Sequence, residues 1–258
     1  MKIVIQSNDF ITQVDIGEIN IPRLHEIHDH LTPYLTWLPD FADTTTRLES
    51  RGVYIIRSPS LSAKMRDTRY NNQPTSDVEW TEEHLALWDE VENIANDIST
   101  RLGIPDDVIS DKTNLGFQFA NFKSMYGWNS SSWWHTDGKK LCSINVIITG
   151  SDKDYVTFTS VGYNTPPPVK AFYHVPDGPL DKWDRTINYR APEFIEAADA
   201  NIIATYKYTD MSMPVTPTLL NTSIPHKAHS HDEDRIMLRL VFTESTYEQV
   251  RRWLESDC

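Results

Sequence analysis

The chain has 258 residues, 39% of them hydrophobic, and a formal net charge of −13, which is enough apolar content for one sizeable domain with its own core. That charge works against the clustered Lys and Arg needed to track a phosphate backbone, so nucleic acid is disfavoured as a partner. The two cysteines, one of them the last residue, give no disulfide framework, and no apolar run approaches the ~20 residues of a membrane helix; a soluble, cytoplasmic protein is expected.

The first 114 residues are expected to hold strands and a helix. "GVYIIR", Gly52 to Arg57, reads as a strand, and the polar, turn-rich segment from Ser58 to Ser76 as an exposed loop. From Thr81 to Leu102, apolar residues recur at Leu85, Trp88, Val91, Ile94, Ala95, Ile98 and Leu102, the three-and-four spacing of one helical face. Thr81 supplies an N-cap, and Gly103 followed by Pro105 supplies the stop.

Beyond the helix the pattern turns to short runs rich in branched and aromatic residues: "LGFQFANFKSMY", "LCSINVIIT", "DYVTFTSVGY", "VKAFYHV", "NIIATYKY", "TPTLLN", "IPHKAHS" and "RIMLRLVF". So many short strands in one domain point to a barrel, a sandwich or a jelly roll. The prolines of "TPPPVK" place Thr165 to Lys170 in a connection. Pro176 to Ala200 reads as an insertion with a short helix near Pro192 to Ala198, and "STYEQVRRWLES" as an amphipathic helix within residues 244–258.

Chemistry concentrates in "SSWWHTDG". His135 and Asp137 are two apart, so on an extended segment both side chains project to one face, as two ligands of one metal must. Candidates for a third ligand are His226, His229 and His231 in "PHKAHSHDEDR". Two histidines and a carboxylate on one face of a metal leave the opposite positions open, the arrangement used by non-haem ferrous oxygenases. A His-x-Asp triplet alone is also met in surface turns; its weight comes from the strands around it and from the distal His and Arg. On an extended strand His229 points away from His226, and His231 adjoins a charged turn, so both are expected as solvent-facing loop residues. Trp133 and Trp134 are expected in packing. Arg239 shares a face with Arg235 if the strand is regular, where it would hold substrate or co-substrate or form a structural ion pair.

These residues resemble the iron(II)- and 2-oxoglutarate-dependent dioxygenases, in particular their prolyl-hydroxylase-like members, over about residues 115–243. The likeness rests on "HTD" at His135 and Asp137, on "PHKAHSHDEDRIMLRL", and on "MYGWNSSSWWHTDG" upstream. It implies a mainly β, cupin-like double-stranded β-helix, or jelly roll, with flanking helices in a single domain spanning 1–258. It further implies iron(II) held by His135, Asp137 and His226, with Arg235, nine residues after His226, pairing with the distal carboxylate of 2-oxoglutarate. Tyr126 would sit in the co-substrate pocket. The activity implied is dioxygen-dependent hydroxylation of a C–H bond in a small molecule or a protein side chain. The 89 residues between Asp137 and His226 exceed what a compact core of this kind needs, and the surplus falls at Pro176 to Ala200. Two alternatives stand beside this one: a cupin-like enzyme using zinc, nickel or manganese for hydrolysis or isomerisation, and a non-catalytic binding module.

Overall fold

The structure is a computed structural model that describes residues 2–34, 36–37, 53–57, 59, 79–109, 115–120, 141–151, 153–159, 202–207, 215–229, 235–242 and 244–256. Tyr126, Trp133, Trp134, His135, Asp137 and His231 lie outside the described residues, as do Thr165 to Lys170, the insertion at Pro176 to Ala200, and all of Ser58 to Ser76 except Pro59.

Eleven strands are described: β1 (Ile3–Ser7), β2 (Ile11–Asp15), β3 (Thr36–Trp37), β4 (Val53–Arg57), β5 (Leu115–Ala120), β6 (Cys142–Thr149), β7 (Tyr155–Thr159), β8 (Ile202–Lys207), β9 (Thr218–Leu220), β10 (His226–His229) and β11 (Arg235–Phe242). Four helices accompany them: α1 (Ile21–Leu31), α2 (Glu82–Leu102), α3 (Asp106–Ile109) and α4 (Tyr247–Glu255). Eight strands form one sheet in the order β1-β2-β9-β6-β11-β5-β4-β3, and three form a second in the order β10-β7-β8. Every ladder is antiparallel, so the described chain is mainly β. From β6 onward it alternates between sheets: β6 large, β7 and β8 small, β9 large, β10 small, β11 large. No described helix is long and apolar enough to cross a membrane.

Period-2 alternation explains how β6 and β11 serve two layers at once. Cys142, Ile144, Val146 and Ile148 of β6, with Ile236, Leu238, Leu240 and Phe242 of β11, join a core that includes residues from α1, α2 and α4. The intervening Ile147 and Met237 pack instead with Val156 and Phe158 of the small sheet, together with Ile11 and Leu220. An extra residue on β6 near Ile148 shifts its register against β11 between Ile236 and Met237, whereas the β11–β5 ladder runs without a break.

The helix expected at Thr81 to Leu102 forms as α2. The Thr81 hydroxyl accepts from the His84 N–H, and Gly103 closes the helix at φ 78°, a left-handed conformation that suits glycine. Trp88, Val91, Ala95, Ile98 and Leu102 are its buried apolar residues, and they pack with Leu24, Ile27 and Leu31 of α1. Helix α4 starts in a capping box: Gln249 N–H donates to Thr246 Oγ1 (3.3 Å) and Thr246 N–H donates to Gln249 Oε1 (2.8 Å). Lys2 Nζ donates to Leu102 O (3.1 Å) at the end of α2 and to Trp253 O (2.9 Å) near the end of α4, placing an ammonium where the carbonyls of two helix ends converge.

Candidate functional site

His226 opens β10, opposite Phe158 of β7. It is only 5% exposed, with its ring centroid 5.9 Å from that of Phe158. Its Nδ1 lies 2.9 Å from Ile224 O. A carbonyl can only accept, so Nδ1 carries the hydrogen and, in the neutral ring, the lone pair sits on Nε2. A metal-ligating histidine commonly has this arrangement, with a backbone carbonyl fixing tautomer and ring orientation.

Arg235 opens β11 and is 1% exposed. Its Nη1 donates to His229 O at 3.3 Å. Room for its stem comes from Gly150 in the β6–β7 turn: a Cβ there would meet Ile147 Cγ2 at 3.2 Å, Asp154 Oδ2 at 3.1 Å and Arg235 Cγ at 3.6 Å. Asp154 is itself buried, and it holds the turn by accepting from Ser151 N–H at 3.2 Å. A guanidinium this deep is costly unless anionic or polar groups surround it.

His229 differs from expectation. It belongs to β10 rather than to a solvent loop, and it is half-buried. It does point to the face opposite His226, as strand alternation requires. There its ring stacks on Tyr155, its cross-strand partner, at 4.1 Å and 14°, with Nε2 3.3 Å from Thr157 Oγ1. Burial, followed by the charges of Lys227 and Arg235, pushes its pKa down to about 4, so it is neutral at physiological pH.

Arg239 follows Arg235 on the same face of β11, with Met237 between them. Its Nε donates to Asn145 Oδ1 (3.2 Å) and its Nη2 to Ser143 Oγ (3.0 Å). Ser143 in turn donates to Asn145 Oδ1 at 3.3 Å. Asn145 and Ser143 do not stand out in the sequence; the one signal there is a pair of polar residues two apart in the otherwise apolar "CSINVIIT".

Of the residues expected at a metal and co-substrate site, the structure therefore places His226 and Arg235 on the described scaffold. Among the described residues no three His, Cys, Asp or Glu side chains cluster as a metal site. Tyr126, His135 and Asp137 fall outside the described residues.

No family model matches the chain, and no curated protein matches it. Solved structures do. The AviO1 protein of Streptomyces viridochromogenes is 9% identical, with 92% of this chain and 91% of that one covered, at a TM-score of 0.37. A Pseudomonas putida prolyl-4-hydroxylase is 13% identical over 91% and 92% of the two chains, at a TM-score of 0.36. The epimerase SnoN, in complex with Fe3+, alpha-ketoglutarate and nogalamycin RO, is 11% identical over 75% and 79%, at a TM-score of 0.32. Likeness at this level does not assign an activity to the chain; only its own residues can carry one.

Proposed function

We propose that the protein is an iron(II)- and 2-oxoglutarate-dependent oxygenase built as one jelly-roll domain, hydroxylating a C–H bond of a small molecule or a protein side chain. The observation that carries this is the pairing of a buried, tautomer-fixed His226 with a buried Arg235 one short strand away. Arg235 reaches the carbonyl of His229, and His226 lies three residues back along β10, about 10 Å at the usual strand rise. A five-carbon diacid spans roughly 5 Å between its end carbons. Adding metal–ligand bonds of about 2 Å and a charge-assisted hydrogen bond of about 2.8 Å fills a distance of that order.

Chain order supports the same site. The repeated exchange between sheets from β6 to β11 is what two interlocked Greek keys require. One edge of β10 pairs with β7, and the other has no partner among the described residues. His135 and Asp137 lie on the connection between β5 and β6.

The donor set suits iron(II): His226, His135 and Asp137 would supply two nitrogens and a carboxylate. When bound, iron and 2-oxoglutarate supply the oxidising power, as dioxygen is consumed and the keto acid is decarboxylated to succinate while the substrate is hydroxylated. The chain's part is positioning. The Ile224 carbonyl holds the His226 ring, Arg235 pairs with the distal carboxylate of the keto acid, and the apolar packing around Phe158, Ile147 and Met237 keeps water from that contact.

The test is anaerobic titration of metal-free protein with ferrous iron and then 2-oxoglutarate, following the weak visible absorption of a keto-acid chelate. The band is expected in the parent protein, with its midpoint shifted at least about tenfold in Arg235→Gln. Iron uptake without the band would move the assignment to a jelly-roll enzyme of another metal chemistry. Absence of metal uptake would overturn it altogether.

A further inference from the structure

We infer that Asn221 is a positioning residue for His226, tying the turn that holds the imidazole to the N-terminal hairpin. The consequence for iron rests on the proposed oxygenase site, whereas the orientation of the ring does not. Asn221 stands where the chain leaves the large sheet, directly after β9 and ahead of the turn that leads into β10. Each of its four polar atoms is engaged. Its N–H donates to Phe10 O (2.9 Å) and its Nδ2 to Asp9 O (2.9 Å), while its carbonyl accepts from Ile224 N–H (3.2 Å) and its Oδ1 from Ser223 Oγ (2.5 Å). The bond to Phe10 O continues the ladder between β2 and β9, and any residue but proline could make it. The two side-chain bonds need an amide. Asn favours turns in general because its side chain bonds the backbone two residues on. Here the amide nitrogen instead reaches a carbonyl 212 positions away, which local turn chemistry does not require.

What the turn carries is the acceptor of the His226 ring. Ile224 closes the turn with its N–H and, with its carbonyl, accepts from His226 Nδ1 at 2.9 Å. Only Pro225 stands between, and its φ is fixed near about −65°. The place of that carbonyl relative to the imidazole is therefore set by the turn, and the turn by Asn221.

A second support reaches the same ring from the same hairpin. The Phe10 ring lies 5.3 Å from Phe158, and Phe158 lies against His226. The imidazole is thus braced through Ile224 at Nδ1 and through Phe158 at its ring, and both routes lead back to residues 8–10. Those residues are themselves held. Asn8 Oδ1 accepts from the N–H groups of Phe10 (2.9 Å) and Ile11 (3.1 Å), and Asn8 O accepts from Tyr247 Oη (2.6 Å) and Arg251 Nη1 (3.3 Å) of α4. Asn221 is where this fixed hairpin is fastened to the turn before β10. A residue serving only to staple the hairpin to the sheet would affect stability alone; one that positions His226 also changes the state of its ring.

The experiment reads that state directly, by long-range proton–nitrogen correlation NMR on metal-free protein near pH 8, above the ordinary histidine pKa of about 6.5. The His226 signals are assigned by their loss in His226→Gln. In the parent protein the ring should be held as the tautomer with hydrogen on Nδ1; in Asn221→Ala it should exchange between both tautomers. Ferrous iron affinity, measured anaerobically, should fall about tenfold in that variant, the lower end of what loss of a ligand's outer support costs. Val91→Ala, a core truncation on the helix face, should leave tautomer and affinity as in the parent protein. Ser223→Ala, which removes one bond from the amide, should shift the ring in the same sense, and it serves if Asn221→Ala does not fold. Three results overturn the inference: no preference for the Nδ1 tautomer in the parent protein, a ring unchanged in both turn variants, or an equal change in Val91→Ala. If the parent protein takes up no iron, or if iron affinity is unchanged while the ring exchanges, the oxygenase site has failed on its own terms. The tautomer comparison then still decides whether Asn221 positions His226.

Discussion

The two faces of the large sheet divide the work of the molecule. Toward the helices, Ile144, Val146, Leu238 and Leu240 meet Leu24, Ile27, Trp88, Val91 and Ile98 in one apolar core. Toward the small sheet, the same two strands present Ser143, Asn145, Arg235 and Arg239 alongside the paired Ile147 and Met237. Alternation along β6 and β11 means that residues adjacent in sequence belong to different tasks. Stability should therefore respond chiefly to one face and ligand binding to the other.

The largest effect belongs to the helix face. Trp88→Ala removes a nearly fully buried indole and should cost about 3–5 kcal/mol in urea unfolding, while ferrous iron affinity measured well below the melting temperature stays as in the parent protein. A matching loss of metal affinity would show the two faces to be coupled. On the other face, His226→Ala should weaken iron binding by at least about tenfold to a hundredfold with a smaller stability change than Trp88→Ala. If both substitutions cost stability alike and leave metal uptake intact, His226 is a packing residue.

A smaller effect tests the helix layer where it meets the N-terminus. Gly103 has φ 78°, and an added Cβ would lie 3.1 Å from Lys2 Nζ and 3.2 Å from Trp253 O. Gly103→Ala should cost about 1–2 kcal/mol from the left-handed backbone alone, read as a lowered melting temperature with ligand binding unaltered.

The smallest is a dependence on pH. His229 is pushed to about 4 by burial, with Lys227 and Arg235 adding to the effect, and His28 is lowered chiefly by burial. Burial disfavours the protonated form of both in the fold, while in the unfolded chain they protonate near 6.5. Below that pH the unfolded state binds more protons, so the contribution of His229 is whole above about 6.5 and is lost as the pH falls through about 4, with His28 adding a loss of the same sign. Urea midpoints should decline over that window, less steeply in His229→Asn. Superimposable curves would show that His229 does not titrate as its surroundings imply.

What is legible in the sequence depends on how local each signal is. Helix α2 is readable because its spacing and both caps lie within one continuous stretch. Strands β6 and β11 are readable from their branched and apolar runs. Helix α1 escapes such a reading: "IPRLHEIHDHL" is short and interrupted by histidines, although Asn20 as its cap, Pro22 in its first turn, and Leu24, Ile27 and Leu31 at helical spacing are all present. The pairing of β9 with β2 and β6 joins residues about 75 to 210 positions apart, which no local pattern encodes. The site divides in the same way. His226 and Arg235 stand out through residue type and spacing. Asn145 and Ser143 can be assigned to the inner face only once the sheet neighbours of β6 are known. His229 reads as a solvent residue because nothing nearby in sequence reveals that Tyr155 stands opposite it.

The clasp at Lys2 has a consequence in time. Its bond to Trp253 joins residues 251 positions apart, and β2 finds its second partner only in Thr218 to Leu220. During synthesis at ~5–20 residues per second, roughly 10–40 s separate the appearance of β2 from that of β9. Strands β1 and β2 thus wait longer for shelter than the strands made after them, with Ile3 and Ile5 still partly uncovered in the finished fold. That interval, more than any weakness in the completed structure, is when the N-terminal hairpin is most open to pairing with the wrong chain.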